Sequence, residues 1–230
     1  MNISTYLRCI ALTATMFVLH ACADGSPIPV RYGVTLTNLT NDQPLSPMAA
    51  VLHRSGYSGW TAGMPASAGL EVLAEGGDNG VFLNEADASN KVIATASTAG
   101  AIAPGSSGTV TLSAFGPGGL RLTLAGMLVN TNDAFAGVTG VSLAALAPGQ
   151  TLAMNLHAYD AGTEANDETV ATIPGPAAGG EGYNAVRNDR NTVAVHAGVV
   201  TMDDGLSTSA LSQSHRFDQP VARVVIARLN

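Results

Sequence analysis

Cysteine is absent from the 230-residue chain after position 22, and that absence limits what can hold the fold together. Cys9 and Cys22 both precede the body of the chain, so no disulfide staples it; stability falls to a packed core, or to a core helped by bound metal. Charged residues make up only 12% of the sequence and aromatics 5%, which implies a core of small and aliphatic side chains. Bases are the rarer sign. Without a leader containing Arg8, 9 bases face 17 acids, a formal charge of 9 − 17 = −8. Such a surface disfavours nucleic acid and anionic lipid as partners and favours cations. Several catalytic signatures are missing as well: there is no Gly-x-Ser-x-Gly elbow, no His-Glu-x-x-His and no phosphate-binding glycine loop. His53, His157, His196 and His215 are scattered without zinc-ligand spacing and read as structural residues.

The first 23 residues carry one base, Arg8, an apolar run from Cys9 to Leu19, and then Ala21-Cys22-Ala23. A run this short with small residues behind it predicts an export signal rather than a membrane span. Two processing routes fit the same residues. Ala21 and Ala23 suit release after Ala23, whereas Leu19-His20-Ala21-Cys22 resembles a bacterial lipobox in which Cys22 is acylated and tethers the protein to a membrane. Either route exports the protein, to be periplasmic, secreted or an outer-membrane lipoprotein.

Residues 24–230 carry no linker long enough to separate two domains and are expected to form one. Alternation typical of half-buried strands spans 30–36, 109–115, 120–129, 151–158, 192–199 and 221–229, with Gly, Pro, Asn and Asp between the runs. The expected class is all-β, an antiparallel β-sandwich with long loops. One short helix is expected over Ala68 to Glu75, capped by Ser67 and ended by Gly76-Gly77, covering an end or edge of the sandwich. The stretch from Pro174 to Asn191 lacks periodicity and reads as a long loop, mobile unless a ligand or packing orders it. Tyr57 and Trp60 are candidates for a contact patch or for packing over the sandwich edge.

Against this low charge, Asp160, Glu164, Asp167 and Glu168 place four acids in nine consecutive positions. Crowded carboxylates repel one another, so they face water or share a cation. Asp133, which closes the run beginning at Leu120, can reach the same ion as Asp160 if the two strands ending there are neighbours. Solvated turns explain the same letters, since Asp, Asn and Gly favour turns. An EF-hand does not: with Asp160 at its first position, Ala165 occupies the glycine position and Ala171 the bidentate glutamate. Retaining-glycosidase chemistry needs two carboxylates roughly 5 Å apart beside a sugar cleft. Asp133, Asp160 and Glu164 therefore also stand as acid and base of an exported glycan hydrolase, the less favoured alternative.

Two motifs follow one another at a specific distance. Met127-Leu128-Val129-Asn130-Thr131-Asn132-Asp133-Ala134-Phe135-Ala136-Gly137 precedes Tyr159-Asp160-Ala161-Gly162-Thr163-Glu164, and weaker landmarks flank them at 34–40, 43–47, 65–75, 171–174 and 215–224. In these segments the chain resembles the spondin N-terminal domain family in its compact bacterial form. The resemblance implies a sandwich similar to C2 domains and a calcium ion near one end, with Asp133, Asp160 and Glu164 as the metal ligands. It further implies a non-catalytic domain serving recognition or adhesion, with an extracellular protein or glycan as partner; in an alternative version calcium is purely structural. The sequence departs from the animal members in having Glu164 for a second Asp, Ala134 for a Trp, and no disulfide cysteines. Their particular partners do not transfer.

Overall fold

A computed structural model describes residues 27–116 and 118–230. The export signal read over 1–23 and the acylation site at Cys22 lie outside the described residues. No described helix is long and apolar enough to cross a membrane.

The described chain is mostly antiparallel sheet. Its strands are β1 (Val30–Asn38), β2 (Ala49–His53), β3 (Val92–Ser97), β4 (Ser107–Ala114), β5 (Arg121–Met127), β6 (Ala134–Ser142), β7 (Thr151–Asp160), β8 (Ala194–Val195) and β9 (Ala222–Arg228). They pair in the order β3-β2-β5-β6-β7-β9-β1-β4, with β8 added to β7. β3 and β4, at the two ends of that order, lie against each other, so the sheet curls almost closed.

The strand that turns the corner is β7. Its first part, Thr151 to Leu156, pairs with β9, and its last part, His157 to Asp160, pairs with β6. One strand thus belongs to both layers and delivers Asp160 to the end of the second. Between the layers lies an aliphatic core that includes Val34, Leu36, Leu52, Leu122, Leu124, Val224 and Ile226. Alternation in β1 and β9 puts Val34, Leu36, Val224 and Ile226 inward, as the period of two requires.

β2 is buried along its whole length, and the reason is a second layer of helix. α1 (Ala68–Gly76) begins where Ser67 Oγ accepts from the Leu70 amide at 3.1 Å, and it ends at Gly77 in the left-handed conformation, φ 70°. The helix and its cap therefore form as the sequence predicts. α2 (Gly80–Asp87) was not expected; its short apolar face, mainly Phe82 and Ala86, gives little periodic signal. The helices clasp through Glu85, which accepts from Ser67 Oγ at 2.6 Å and from the Gly69 amide at 2.8 Å. Together they cover a sheet face rather than an end or edge: Leu70, Leu73 and Phe82 pack on Ala49, Val51, Ala125 and Phe135. Each fully buried leucine here contributes about 2 kcal/mol.

Trp60 belongs to this second core. It is 7% exposed, with its ring 4.9 Å from Phe135 and 5.5 Å from Tyr159. Gly137 makes room for it, since a Cβ there would stand 2.6 Å from the indole. Of the two roles read for Trp60, packing is the one observed, in the core beneath the helices rather than over the sandwich edge, and its ring is not free to form a contact patch.

Candidate metal centre

Asp133 and Asp160 meet because β6 and β7 pair with Ala134 opposite Asp160. The expected neighbour relation ran from the strand ending near Val129; the real partner is β6, which starts directly after Asp133 and has the Ala- and Gly-rich sequence AFAGVTGVS. Such residues carry no alternation, so the strand is silent in the sequence. Ala161 N donates to Asp133 O at 3.2 Å and extends the pairing past the strand end.

From that point the acidic loop folds over Asp133. Asp133 Oδ2 accepts from the Thr163 amide at 2.8 Å, the Glu164 amide at 3.2 Å and Thr163 Oγ1 at 3.3 Å. The turn that permits this needs Gly162, at φ 71°, where a Cβ would strike the backbone of Thr192. The preceding loop is wired independently: Thr131 Oγ1 donates to Leu128 O at 2.6 Å and accepts from Ala134 N at 3.1 Å. Asn132 Oδ1 accepts from the Glu168 amide at 3.2 Å.

Two carboxylate oxygens in this arrangement have no partner. Asp133 Oδ1 and Glu164 Oε2 are buried without a hydrogen bond, in residues 0% and 8% exposed. Burial, joined by the charge of Asp160, pushes the Asp133 carboxyl up to about 7 against its three donors. Burial pushes Glu164 up to about 8; Asn132 opposes this, while Glu75, Asp133 and Asp167 add to it. Glu75 reaches the same region from α1. It is 1% exposed, accepts from Asn184 N at 2.9 Å, and is raised chiefly by burial.

Asp160 is spoken for differently. Its Oδ1 accepts from Gly162 N and its Oδ2 from Asn166 Nδ2, both at 2.7 Å. Among the described residues no group of three or more His, Cys, Asp or Glu side chains converges closely enough to hold an ion. Asp133 and Glu164 thus share one buried place, and Asp160 stands beside it with its carboxylate engaged in its own turn.

The second half of the acidic loop divides. Asp167 is exposed and held low because hydrogen bonds from Thr172, Thr169 and Asn132 outweigh its desolvation, in keeping with a turn residue. Glu168, which the solvated-turn reading of the loop would leave in water, is 2% exposed. Burial pushes it up to about 7, and its Oε2 is a further unpartnered oxygen. Its backbone is left-handed, φ 52°, a conformation that residue type alone does not reveal.

The segment 174–191, expected as a long loop, is tied to α1 and to the acidic loop. Arg187 pairs with Glu71 of α1 at 2.6 Å, Asn188 N donates to Thr163 O at 3.0 Å, and Asn191 N donates to Gly162 O at 2.7 Å. The buried Glu71 and Glu75 were missed in the sequence. Their signal was an amphipathic helix carrying acids on the face that also holds Leu70 and Ala74.

A family model described as Spondin_N matches residues 37–174, more than half of the chain and both acidic loops. No curated protein matches.

Proposed function

The chain belongs to the spondin N-terminal domain family, and on that premise we propose that it is an exported, non-catalytic recognition domain that binds calcium where its two acidic loops meet. The observation that carries this reading is the pair of buried, unpartnered carboxylate oxygens, Asp133 Oδ1 and Glu164 Oε2, on adjoining loops. A buried carboxylate oxygen without a donor is costly, and a hard divalent cation is the group that most directly relieves it. Asp133 and Glu164 are the side-chain ligands of this proposal. Asp160 supports them by fixing the turn through Gly162 and Asn166, and remaining oxygens come from backbone, amides and water.

Full burial of Asp133 favours the version in which calcium clips the loops together while a protein or glycan partner binds nearby. The same burial weighs against Asp133 as a catalytic acid or base, which must reach a substrate.

Thermal unfolding of the purified protein with calcium and then with excess chelator tests the reading. Calcium should raise Tm reversibly, and Asp133→Asn should remove the shift. An unchanged Tm in the unsubstituted protein sinks the proposal.

A further inference from the structure

Residues 184–191, which lie beyond the stretch 37–174, tie the acidic loop to α1. On the helix side, Asn184 N donates to Glu75 Oε2 at 2.9 Å, and Arg187 pairs with Glu71 at 2.6 Å and donates to Ala66 O at 3.0 Å. On the loop side, Asn191 N donates to Gly162 O at 2.7 Å, and the two backbones run so close that a Cβ at Gly162 would stand 2.4 Å from Thr192 O. Between these anchors sits Asn188.

Asn188 holds the backbone on both sides of Glu164. Its amide donates to Thr163 O at 3.0 Å, and its Oδ1 accepts from Ala165 N at 2.7 Å. The Glu164 amide itself is committed to Asp133 Oδ2 at 3.2 Å. The two peptides that flank Glu164 are therefore fixed by Asp133 on one side and by Asn188 on the other. Like charge opposes this arrangement, since Asp133 and Glu164 are both buried and each keeps an unpartnered oxygen. Without an ion, repulsion favours a loop that carries Glu164 away, whereas calcium needs its oxygens about 2.3–2.6 Å from one centre. A ligand held in place before the ion arrives binds it more tightly than one that must be gathered from many positions.

We infer that Asn188 is a positioning residue for the ion site, and that residues 184–191 form a latch whose docking on the acidic loop and the uptake of calcium reinforce each other. The inference rests on the calcium reading above. Calcium holds Glu164 where the docked latch holds it, so each favours the other to the same extent. Asn188 is exposed, and its side chain can be changed without opening the core.

Calorimetric titration of calcium at pH 8 into the full chain, into Asn188→Ala and into Asn188→Asp tests it. Loss of one hydrogen bond that fixes the loop should weaken calcium binding about fivefold in Asn188→Ala. Asn188→Asp keeps an acceptor for the Ala165 amide and should bind at least as tightly as the unsubstituted protein. A merely structural contact would lower stability in chelator and leave the affinity of the folded protein unchanged, so urea unfolding in chelator is measured beside the titration. Trypsin supplies the reciprocal arm, with rates compared within each variant. Saturating calcium should slow cleavage after Arg187 in the unsubstituted protein and slow it less in Asn188→Ala. The inference is overturned if Asn188→Ala binds calcium as tightly as the unsubstituted protein, if Asn188→Asp is weakened as much as Asn188→Ala, or if calcium leaves cleavage after Arg187 unchanged; the calcium reading survives each of these. Absence of calcium binding by the unsubstituted protein overturns both.

Discussion

The molecule buries acids in two neighbouring regions and treats them differently. On α1, Glu71 keeps Arg187 as a counter-charge at 2.6 Å, although its Oε1 has no partner. At the meeting of the loops, Asp133 accepts from neutral donors, and among the described residues no cation pairs with Asp133 or Glu164. Both regions leave a carboxylate oxygen unpartnered; what differs is the counter-charge, which Glu71 has in Arg187 and which Asp133 and Glu164 lack among the described ion pairs, as at a site built to receive a cation. A chain with so few charges gains nothing by burying two acids together unless something compensates them.

The sharpest way to break this comparison is to remove the counter-charge where one exists. Arg187→Ala should destabilise the protein by about 3 kcal/mol, because Glu71 is left buried and uncompensated. Urea unfolding measures it. Asp133→Asn, in chelator, should cost far less or even stabilise, since it removes a charge that has no partner. Equal losses would mean that the two regions do not differ.

Calcium supplies the next effect in size. At about 100 times its dissociation constant it should add roughly 2.7 kcal/mol to the unsubstituted protein. In Asp133→Asn the gain should vanish, and in Glu164→Gln it should fall.

The pH dependence follows with its sign fixed by the raised carboxyls. Asp133, Glu164 and Glu168 bind protons more tightly folded than unfolded, with folded values of about 7, 8 and 7. In the window from their ordinary values near 4 up to about 8, the folded state holds more protons. Stability in chelator should therefore be fully present below that window and decline as pH rises through it, levelling above. Calcium should reverse the trend, because it binds the ionised form. Melting curves across pH 5 to 8, with and without calcium, decide this; a rise in chelator would contradict the burial of these groups.

The smallest effect belongs to Asp167, exposed in the same loop. Asp167→Asn should change stability by less than about 0.5 kcal/mol and leave the calcium shift nearly intact. A large loss would place Asp167 with the ligands and blur the line between the two halves of the loop.

How far the sequence foretold these regions follows from residue type. β1, β4, β5, β7 and β9 alternate in polarity, and α1 announces both its caps, so these elements were legible. β2 is apolar on both faces beneath the helices, and β6 is mostly Ala, Gly and Val; neither alternates. The strand expected over 192–199 shrinks to Ala194–Val195, its remaining residues lining a cavity beside Asp160 or turning away. In the site, Asp133, Asp160 and Glu164 were nameable because two motifs carry them. The burial of Glu75 and Glu168 was not, for it arises from a helix lying on the sheet and from loops that close over Glu168 through Asn132 and Val200. Tertiary placement, rather than local pattern, made those two acids part of the region.

Calcium titration by calorimetry at pH 8, on the unsubstituted protein and on Asp133→Asn, tests the central claim most directly. The unsubstituted protein should take up one ion with saturable heat, and Asp133→Asn should give none while remaining folded. Heat that is absent from both, or identical in both, would contradict a cation site centred on Asp133.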